Sequence, residues 1–220
     1  IWKGLVGSEM CIRDSLCMLP FSDQIYTLFS SPMSQALNES SMIAIGVTSP
    51  FLAPIKLCLY LALIFSLPFC FYQAWVYASP GLYQSEKNLA KPIFIMVNVL
   101  FFSGIIFSYL VVAPVITKFF VSSAPSNIKI MTDINQYLSF MMKLIFGFGF
   151  AFQVPIITNL LIRTGIKSKS QITSMRPYLI ILFLILAMLL TPPDIFSQLF
   201  LAVPMWLLFE LGLALSRDKD

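Results

Sequence analysis

The 220-residue sequence contains no histidine. That absence removes zinc sites built on paired imidazoles, and it removes the Ser-His and Cys-His dyads of nucleophilic hydrolases. Charge is also scarce. Asp, Glu, Lys and Arg together make up 11% of the chain, against about 25% in soluble domains. Cysteine occurs four times, but never in a pattern that chemistry needs. Cys58 and Cys70 lie inside an apolar run, Cys17 just before a loop, and Cys11 in an irregular N-terminal stretch. None has metal-ligand spacing and no polar loop holds a pair, so all four read as small apolar side chains and not as disulfides.

What fills the space is hydrocarbon. The chain is 58% hydrophobic with 21 Phe, and its mean hydropathy is +0.86. A helix on a soluble core buries one stripe and keeps a polar face; this composition leaves too little polar surface for that, so the chain reads as an all-α integral membrane protein. The net charge of +4 is modest and spread among loops. It forms no basic patch with interleaved aromatics, which argues against nucleic-acid binding.

Residues Ile1–Ser15, IWKGLVGSEMCIRDS, mix charge and Gly without helical periodicity. The run VGSEMCIRDS looks like translated sequencing-adapter sequence, and 1–15 is set aside as a non-native scar; the alternative is a genuine short polar N-terminus. Leu16–Phe21 is too short to span, so a first membrane helix is expected to be truncated or replaced. Ser22–Pro54 reads as a loop holding Pro32, Pro50 and Pro54, with a short amphipathic helix around Asp23–Phe29. Then come three charge-free runs, Leu57–Ser85, Pro92–Thr117 and Leu144–Ile162, each matching the ~20 apolar residues that a bilayer crossing requires.

Two shorter runs follow, Tyr178–Leu190 and Ile195–Phe209. Pro192 and Pro193 with Asp194 force a turn between them. At 1.5 Å per residue they rise only ~20 and ~22 Å, against a hydrocarbon core of about 30 Å. They are read as two short spanning helices that thin the membrane. The expected spans are about 55–78, 92–117, 140–162, 178–190 and 195–211, within a membrane domain of 16–217 and followed by a tail of 218–220. No internal repeat of the transporter kind is found.

Basic residues set the expected orientation. Lys87, Lys91, Arg163, Lys167, Lys169, Arg176, Arg217 and Lys219 fall on one side, Lys56, Lys118, Lys129 and Lys143 on the other. The richer side is assigned to the cytoplasm. The C-terminus is then cytoplasmic, and the Ser22–Pro54 and Lys118–Lys143 loops face outward.

Polar groups at membrane depth are functional suspects. Gln153 in FAFQVP lies mid-span between aromatics and beside Pro155. Its amide can bond to a polar helix arriving from the side, or to backbone freed by Pro155; both readings stand. Glu210, near the cytoplasmic end of the last run, is expected to snorkel to the interface. Asp194 is expected to cap the following helix, and Asn98 and Ser103 to make helix-packing contacts. Glu86 sits in SPGLYQSEKNLAK, a polar stretch of Ser79–Lys91 read as a loop, beside Lys87 and Lys91. It is either a solvated acid paired with lysine or an acceptor for a basic ligand.

Several stretches carry a family likeness: SPFLAPIKL (Ser49–Leu57), LPFCFYQAWVYASPGLYQSEK (Leu67–Lys87), TDINQYLSF (Thr132–Phe140), FGFGFAFQVP (Phe146–Pro155), RPY (Arg176–Tyr178) and MLLTPPDIFSQ (Met188–Gln198). The last is the most specific. From about Leu16 to Arg217, roughly nine tenths of its length, the chain resembles the TatC family of twin-arginine protein translocases. The resemblance implies six membrane helices in a cupped bundle and a receptor, not an enzyme, for signal peptides bearing two arginines. It implies that Glu86 and nearby Tyr77 belong to the signal-peptide site, and that Gln153, Met188 and Leu189 contact partner helices. The implied partners are single-span TatA/TatB-type subunits, other TatC copies, twin-arginine signal peptides of folded cargo and the lipid bilayer. Transport would draw on the proton-motive force across a bacterial inner membrane, or an organelle inner or thylakoid membrane. No cofactor or metal is implied.

Two departures stand out. Many relatives carry Glu where this chain has Gln153. The family's N-terminal segment, with its own acid and an HLxELRxRL-like pattern, has no counterpart here. Two guanidinium groups favour paired carboxylates, so Glu86 would supply one half of the acceptor and that segment the other. The competing reading is a secondary transporter or channel lined by Gln153, Glu210 and Asn98, weakened by the missing repeats and the few polar groups. An intramembrane hydrolase lacks its His, its Asp pair and its Ser-Lys pair.

Overall fold

Proline decides where these helices start, kink and stop. The computed structural model describes residues 20, 22–36, 43–46, 48–78, 84–123, 131–163, 165–191 and 195–216. They form α1 (Ser22–Ala36), α2 (Ser49–Ala78), α3 (Gln84–Phe107) running through a π-turn at Ser108–Val112 into α4 (Ala113–Ser122), α5 (Ile134–Ala151), α6 (Val154–Arg163), α7 (Lys169–Ser174), α8 (Arg176–Leu190) and α9 (Ile195–Leu215). Among the described residues the extended structure consists of a parallel bridge between Ile43 and Asp133. The all-α fold class expected from composition is what is found. Two compact units divide the chain, one of Ile1–Phe94 with Thr117–Met142, the other of Ile95–Ile116 with Lys143–Asp220.

In the first unit α1 packs on α2. Helix α1 is longer than the expected Asp23–Phe29 turn because Pro32 does not break it. Pro32 leaves the Leu28 carbonyl without its helical donor, and the Ser31 hydroxyl donates to that carbonyl at 2.8 Å. Helix α2 begins at Ser49, inside what the sequence suggested was a loop ending at Pro54. Pro50 stands in the first turn, where a missing N–H costs nothing. The start is fixed by Leu52 N–H donating to the Thr48 carbonyl at 2.9 Å.

The same unit ties together two stretches far apart in sequence. Ile43 N–H donates to Thr132 O and Ile134 N–H to Ile43 O, both at 3.1 Å. The Asn135 amide donates to Ser49 Oγ at 2.6 Å, and the Tyr137 hydroxyl to the Phe29 carbonyl at 3.2 Å. The expected Lys118–Lys143 loop is correspondingly shorter. Helix α4 runs on to Ser122 and α5 starts at Ile134, because a lysine near a helix end reaches water along its stem without ending the helix.

In the second unit α9 packs on both α6 and α8. Its core holds Ala151, Ile162, Ile172, Phe183, Met205, Phe209 and Leu213. Phenylalanine supplies much of the rest: Phe101 is fully buried with its ring 6.0 Å from Phe150, and Phe107 lies 5.8 Å from Phe148 and 5.5 Å from Phe152. Such pairs add about 0.5–1.5 kcal/mol each beyond area burial. Close approach depends on Gly104, where a Cβ would stand 2.7 Å from the Phe148 carbonyl. The π-turn follows from Pro114, which cannot donate. Ala113 N–H reaches back to Ser108 O, the five-residue step by which a helix absorbs such a loss.

The stretch expected as one span over 140–162 lies within one apolar stretch, Ile134–Arg163, whose helix is interrupted at Phe152–Gln153, between α5 and α6. Pro155 removes the donor to Ala151 and clashes with that turn. Gln153 N–H then bonds Phe150 O at 2.9 Å, and Gln153 O accepts from Ile156 and Ile157 at 3.0 Å.

Among the described residues, four helical stretches are long and apolar enough to cross a membrane: Ser49–Cys70, Pro92–Ser122, Ile134–Arg163 and Ile195–Leu215. Many large apolar side chains lie on the surface, Val99, Leu110, Phe196 and Leu207 among them. Such a surface suits hydrocarbon, not water, and the chain is a multi-pass membrane protein.

The pair of short helices expected after residue 178 is half corrected. Helix α8, of 15 residues, rises ~22 Å by the usual 1.5 Å per residue and remains short. Helix α9 has 21 residues, or ~31 Å, and is long enough to cross a membrane. It passes through Glu210 without interruption because that acid has a partner.

Candidate functional site

Glu86 does not lie in a loop. It stands in the first turn of α3, which begins at Gln84. Tyr77 stands in the last turn of α2. Residues 79–83 and the side chains of Glu86 and Tyr77 fall outside the described part of the structure.

Gln153 is 8% exposed and sits at the α5–α6 break. Its Nε2 donates to the Val97 carbonyl of α3 at 3.0 Å. Neither sequence reading named that partner: it is backbone, but of a neighbouring helix and not of the turn freed by Pro155. The amide oxygen Oε1 is buried without a hydrogen-bond partner among the described residues. A buried amide carbonyl without a donor costs about 1–3 kcal/mol.

Helix α8 turns Phe183 and Ala187 inward, at 3% and 0% exposure. Met188 and Leu189 face out, with Ile181 and Ile185 on the exposed side as well. The helix ends where Thr191 donates through N–H and Oγ1 to the Ala187 carbonyl, at 3.0 and 2.9 Å. Gln198 Nε2 of α9 donates to Leu184 O of α8 at 3.0 Å. Asp194, expected as a cap, lies outside the described residues.

Glu210 does not snorkel free. Its Oε2 accepts from Arg176 Nη2 at 2.8 Å, linking the start of α8 to α9. Ser103, expected to pack across helices, back-bonds to the Leu100 carbonyl of its own helix at 2.8 Å. Asn98 keeps its place within α3. Among the described residues no cluster of His, Cys, Asp and Glu is arranged to hold a metal.

The structure thus brings Gln153 onto α3, and Met188 and Leu189 onto one exposed stripe. It adds Thr191 and Gln198, which sequence reasoning quoted within motifs but gave no role, and Arg176, which it used only for orientation. The signal was there: polar side chains at the ends of apolar runs must find partners.

The comparisons with known proteins agree in direction. The family model described as Sec-independent protein translocase protein (TatC) matches residues 10–204. A Sec-independent protein translocase protein TatC of Azotobacter chroococcum mcd 1 is 48% identical over 193 residues, covering 87% of this chain and 76% of that protein. Its Escherichia coli K12 counterpart is 43% identical over 203 residues, covering 92% and 79%. A crystal structure titled Twin Arginine Translocase Receptor- TatC is 26% identical and superposes with a TM-score of 0.85 over 97% of this chain and 94% of that one. A second crystal structure of that receptor, in DDM, gives a TM-score of 0.87 over 98% and 96%. A multi-pass helical chain that follows these proteins in sequence and in three dimensions belongs to the TatC family and is a component of the Sec-independent, twin-arginine protein translocase.

Proposed function

We propose that this chain is the receptor core of the translocase. It recognises signal peptides bearing two arginines through Glu86, with Tyr77 beside that site. It assembles with single-span TatA/TatB-type subunits and with further copies of itself. The assembly moves folded cargo across a bacterial inner membrane at the expense of the proton-motive force, with the C-terminus cytoplasmic. Its role is binding and assembly, not catalysis. The observation that carries this reading is the likeness over 97% of the chain to the crystal structure of a twin-arginine translocase receptor.

Physical chemistry supports the assignment of roles. A guanidinium keeps its charge and pairs bidentately with carboxylates, so an acid such as Glu86 suits an arginine pair better than a lysine pair. Gln153 offers a buried acceptor, and Met188 with Leu189 offers apolar surface on a helix too short to satisfy the bilayer alone. A small-solute transporter has less support: of the polar groups it would use, Glu210 is engaged by Arg176 and the Gln153 amide N–H by the Val97 carbonyl.

The test is photocrosslinking to a twin-arginine signal peptide and to the same peptide with two lysines, in membranes containing the partner subunits. Glu86→Ala should lower the arginine-peptide crosslink and change the lysine-peptide crosslink far less. Undiminished arginine-peptide crosslinking would remove Glu86 from the site. Solute flux by the purified chain alone in liposomes would favour the transporter reading.

A further inference from the structure

The end of the second unit where α6 and α9 stop and α8 starts is strongly basic. Helix α6 closes on Arg163, and Lys167, Lys169 and Arg176 follow with no acid between them. Two of these cations are engaged. Arg176 holds Glu210 at 2.8 Å, and Lys169 Nζ donates to the Ser216 carbonyl at 3.1 Å, where it meets the negative end of the α9 dipole.

The other two stand on either side of a tight chain reversal. Gly165, at φ +73°, reverses the chain at the end of α6; this is the left-handed region that glycine enters without strain. Gly165 N–H bonds Ile162 O at 3.1 Å and Lys167 N–H bonds Leu161 O at 3.2 Å. Lys167 is thereby folded back onto the turn that carries Arg163. Among the described residues neither has an acid within ion-pair distance. The recorded contact of the Lys167 ammonium is the Met175 sulfur at 3.9 Å. Two like charges held against one helix end repel each other, and the α6 dipole offsets that only in part.

Their surroundings are apolar. Ile166, between them, is 68% exposed, and Tyr178 at the start of α8 is 72% exposed. Met175 is exposed too, while Ile172 of α7 is buried in the core. Helix α7 therefore turns its one apolar side chain inward, and the exposed apolar groups Ile166, Met175 and Tyr178 flank it on either side in the sequence. An ammonium-bearing zwitterion would bring its own cation to the two basic groups, whereas an anionic lipid brings a phosphate they can share and acyl chains for Ile166 and Tyr178.

We propose that Arg163 and Lys167 bind the phosphate of an anionic phospholipid at this end of the bundle. The lipid supplies the counter-charge that the described protein lacks there, and it anchors α7 to the membrane surface. This inference concerns lipid and does not depend on the signal-peptide reading.

The test is native mass spectrometry of the full chain released from detergent, titrated with phosphatidylglycerol, with phosphatidylcholine, or with inorganic phosphate. The chain should retain phosphatidylglycerol in preference to phosphatidylcholine, and millimolar phosphate should not displace it. A basic residue near an anionic surface is worth about fivefold in affinity. Arg163→Gln with Lys167→Gln should therefore cut phosphatidylglycerol retention by on the order of tenfold or more. Lys167→Arg should keep it, and Lys118→Gln, an exposed cation of the other unit, should leave it unchanged. Where the double variant does not fold, Lys167→Gln alone decides, with an expected loss of about fivefold. Equal retention of the two lipids, displacement by free phosphate, or an equal loss in Lys118→Gln would overturn the proposal.

Discussion

Arg176 Nη2 and Glu210 Oε2 lie 2.8 Å apart, with 43% and 27% of their side chains exposed. The first residue of α8 thereby grips α9 five residues before its end at Leu215. The pair explains how an acid can sit inside a helix of otherwise apolar residues without ending it. Each charge is the other's solvent, at a depth where water is only partly available.

Glu210→Leu should destabilise the chain by about 1–3 kcal/mol, the usual range for losing a charge-assisted hydrogen bond. It leaves Arg176 with Nε and Nη2 both unpartnered among the described residues, since Nε is already buried without a partner there. Removing both charges, Arg176→Leu with Glu210→Leu, should recover much of that loss, because an apolar pair avoids desolvation. Thermal unfolding in detergent of the three variants gives the comparison. Equal losses in single and double variants would mean that the pair contributes nothing specific.

Gln153→Leu should remove the bond to Val97 O and the buried acceptor together. Hydrogen bonds between membrane helices are worth about 0.6–2 kcal/mol, so the isolated chain should fold with slightly lower thermal stability. Association with single-span partners should weaken as well. Cysteine crosslinking from position 153 to a partner helix reads the second effect. A stable complex with no crosslink in resting or transporting membranes would confine Gln153 to holding α3.

Gly104→Ala and Gly165→Ala should differ in kind. At Gly104 a methyl group meets the Phe148 carbonyl at 2.7 Å and the Phe152 ring at 2.9 Å; overpacking of this sort costs about 1–3 kcal/mol. At Gly165 nothing lies within 4 Å, and the cost is the left-handed backbone, roughly 1 kcal/mol. Unfolding midpoints should rank Gly104→Ala below Gly165→Ala. The reverse order would contradict the close approach of α3 to α5.

Helix α8 tests membrane thinning by itself, now that α9 is long enough to cross. Inserting one turn of leucines between Leu186 and Met188 should lower transport while leaving signal-peptide binding and complex assembly in place, since mismatch is met by tilting or by deforming the bilayer. Partner helices that cover α8 would make the insertion harmless to lipid and harmful to assembly instead. Transport that persists at its original rate with the longer helix would dispose of thinning.

Composition and patterning determined a good deal unaided. Charge-free runs of Leu, Ile and Phe with no histidine specify helices in lipid and exclude imidazole chemistry, because backbone polar groups in hydrocarbon must be satisfied within the helix. The apolar runs located the helices, and Pro-Pro at 192–193 separated the last two. Helix ends were less legible. Charge marks where an apolar run stops, and a helix continues past it when a Lys stem reaches water or an acid is paired, as at Ser122 and Leu215. Pro50 and Pro54 suggested a loop, yet Pro50 falls in the first turn of α2, where a missing donor is tolerated, and Pro54 stands inside the helix without ending it.

What only the tertiary structure decided is the partner of each polar group. Gln153 with Val97, Arg176 with Glu210, Asn135 with Ser49 and Gln198 with Leu184 join residues from 14 to 86 positions apart. Local sequence says that a buried amide or charge must be satisfied. Which atom satisfies it depends on how helices pack, and that is set by the summed contacts of whole apolar faces, which no short motif contains.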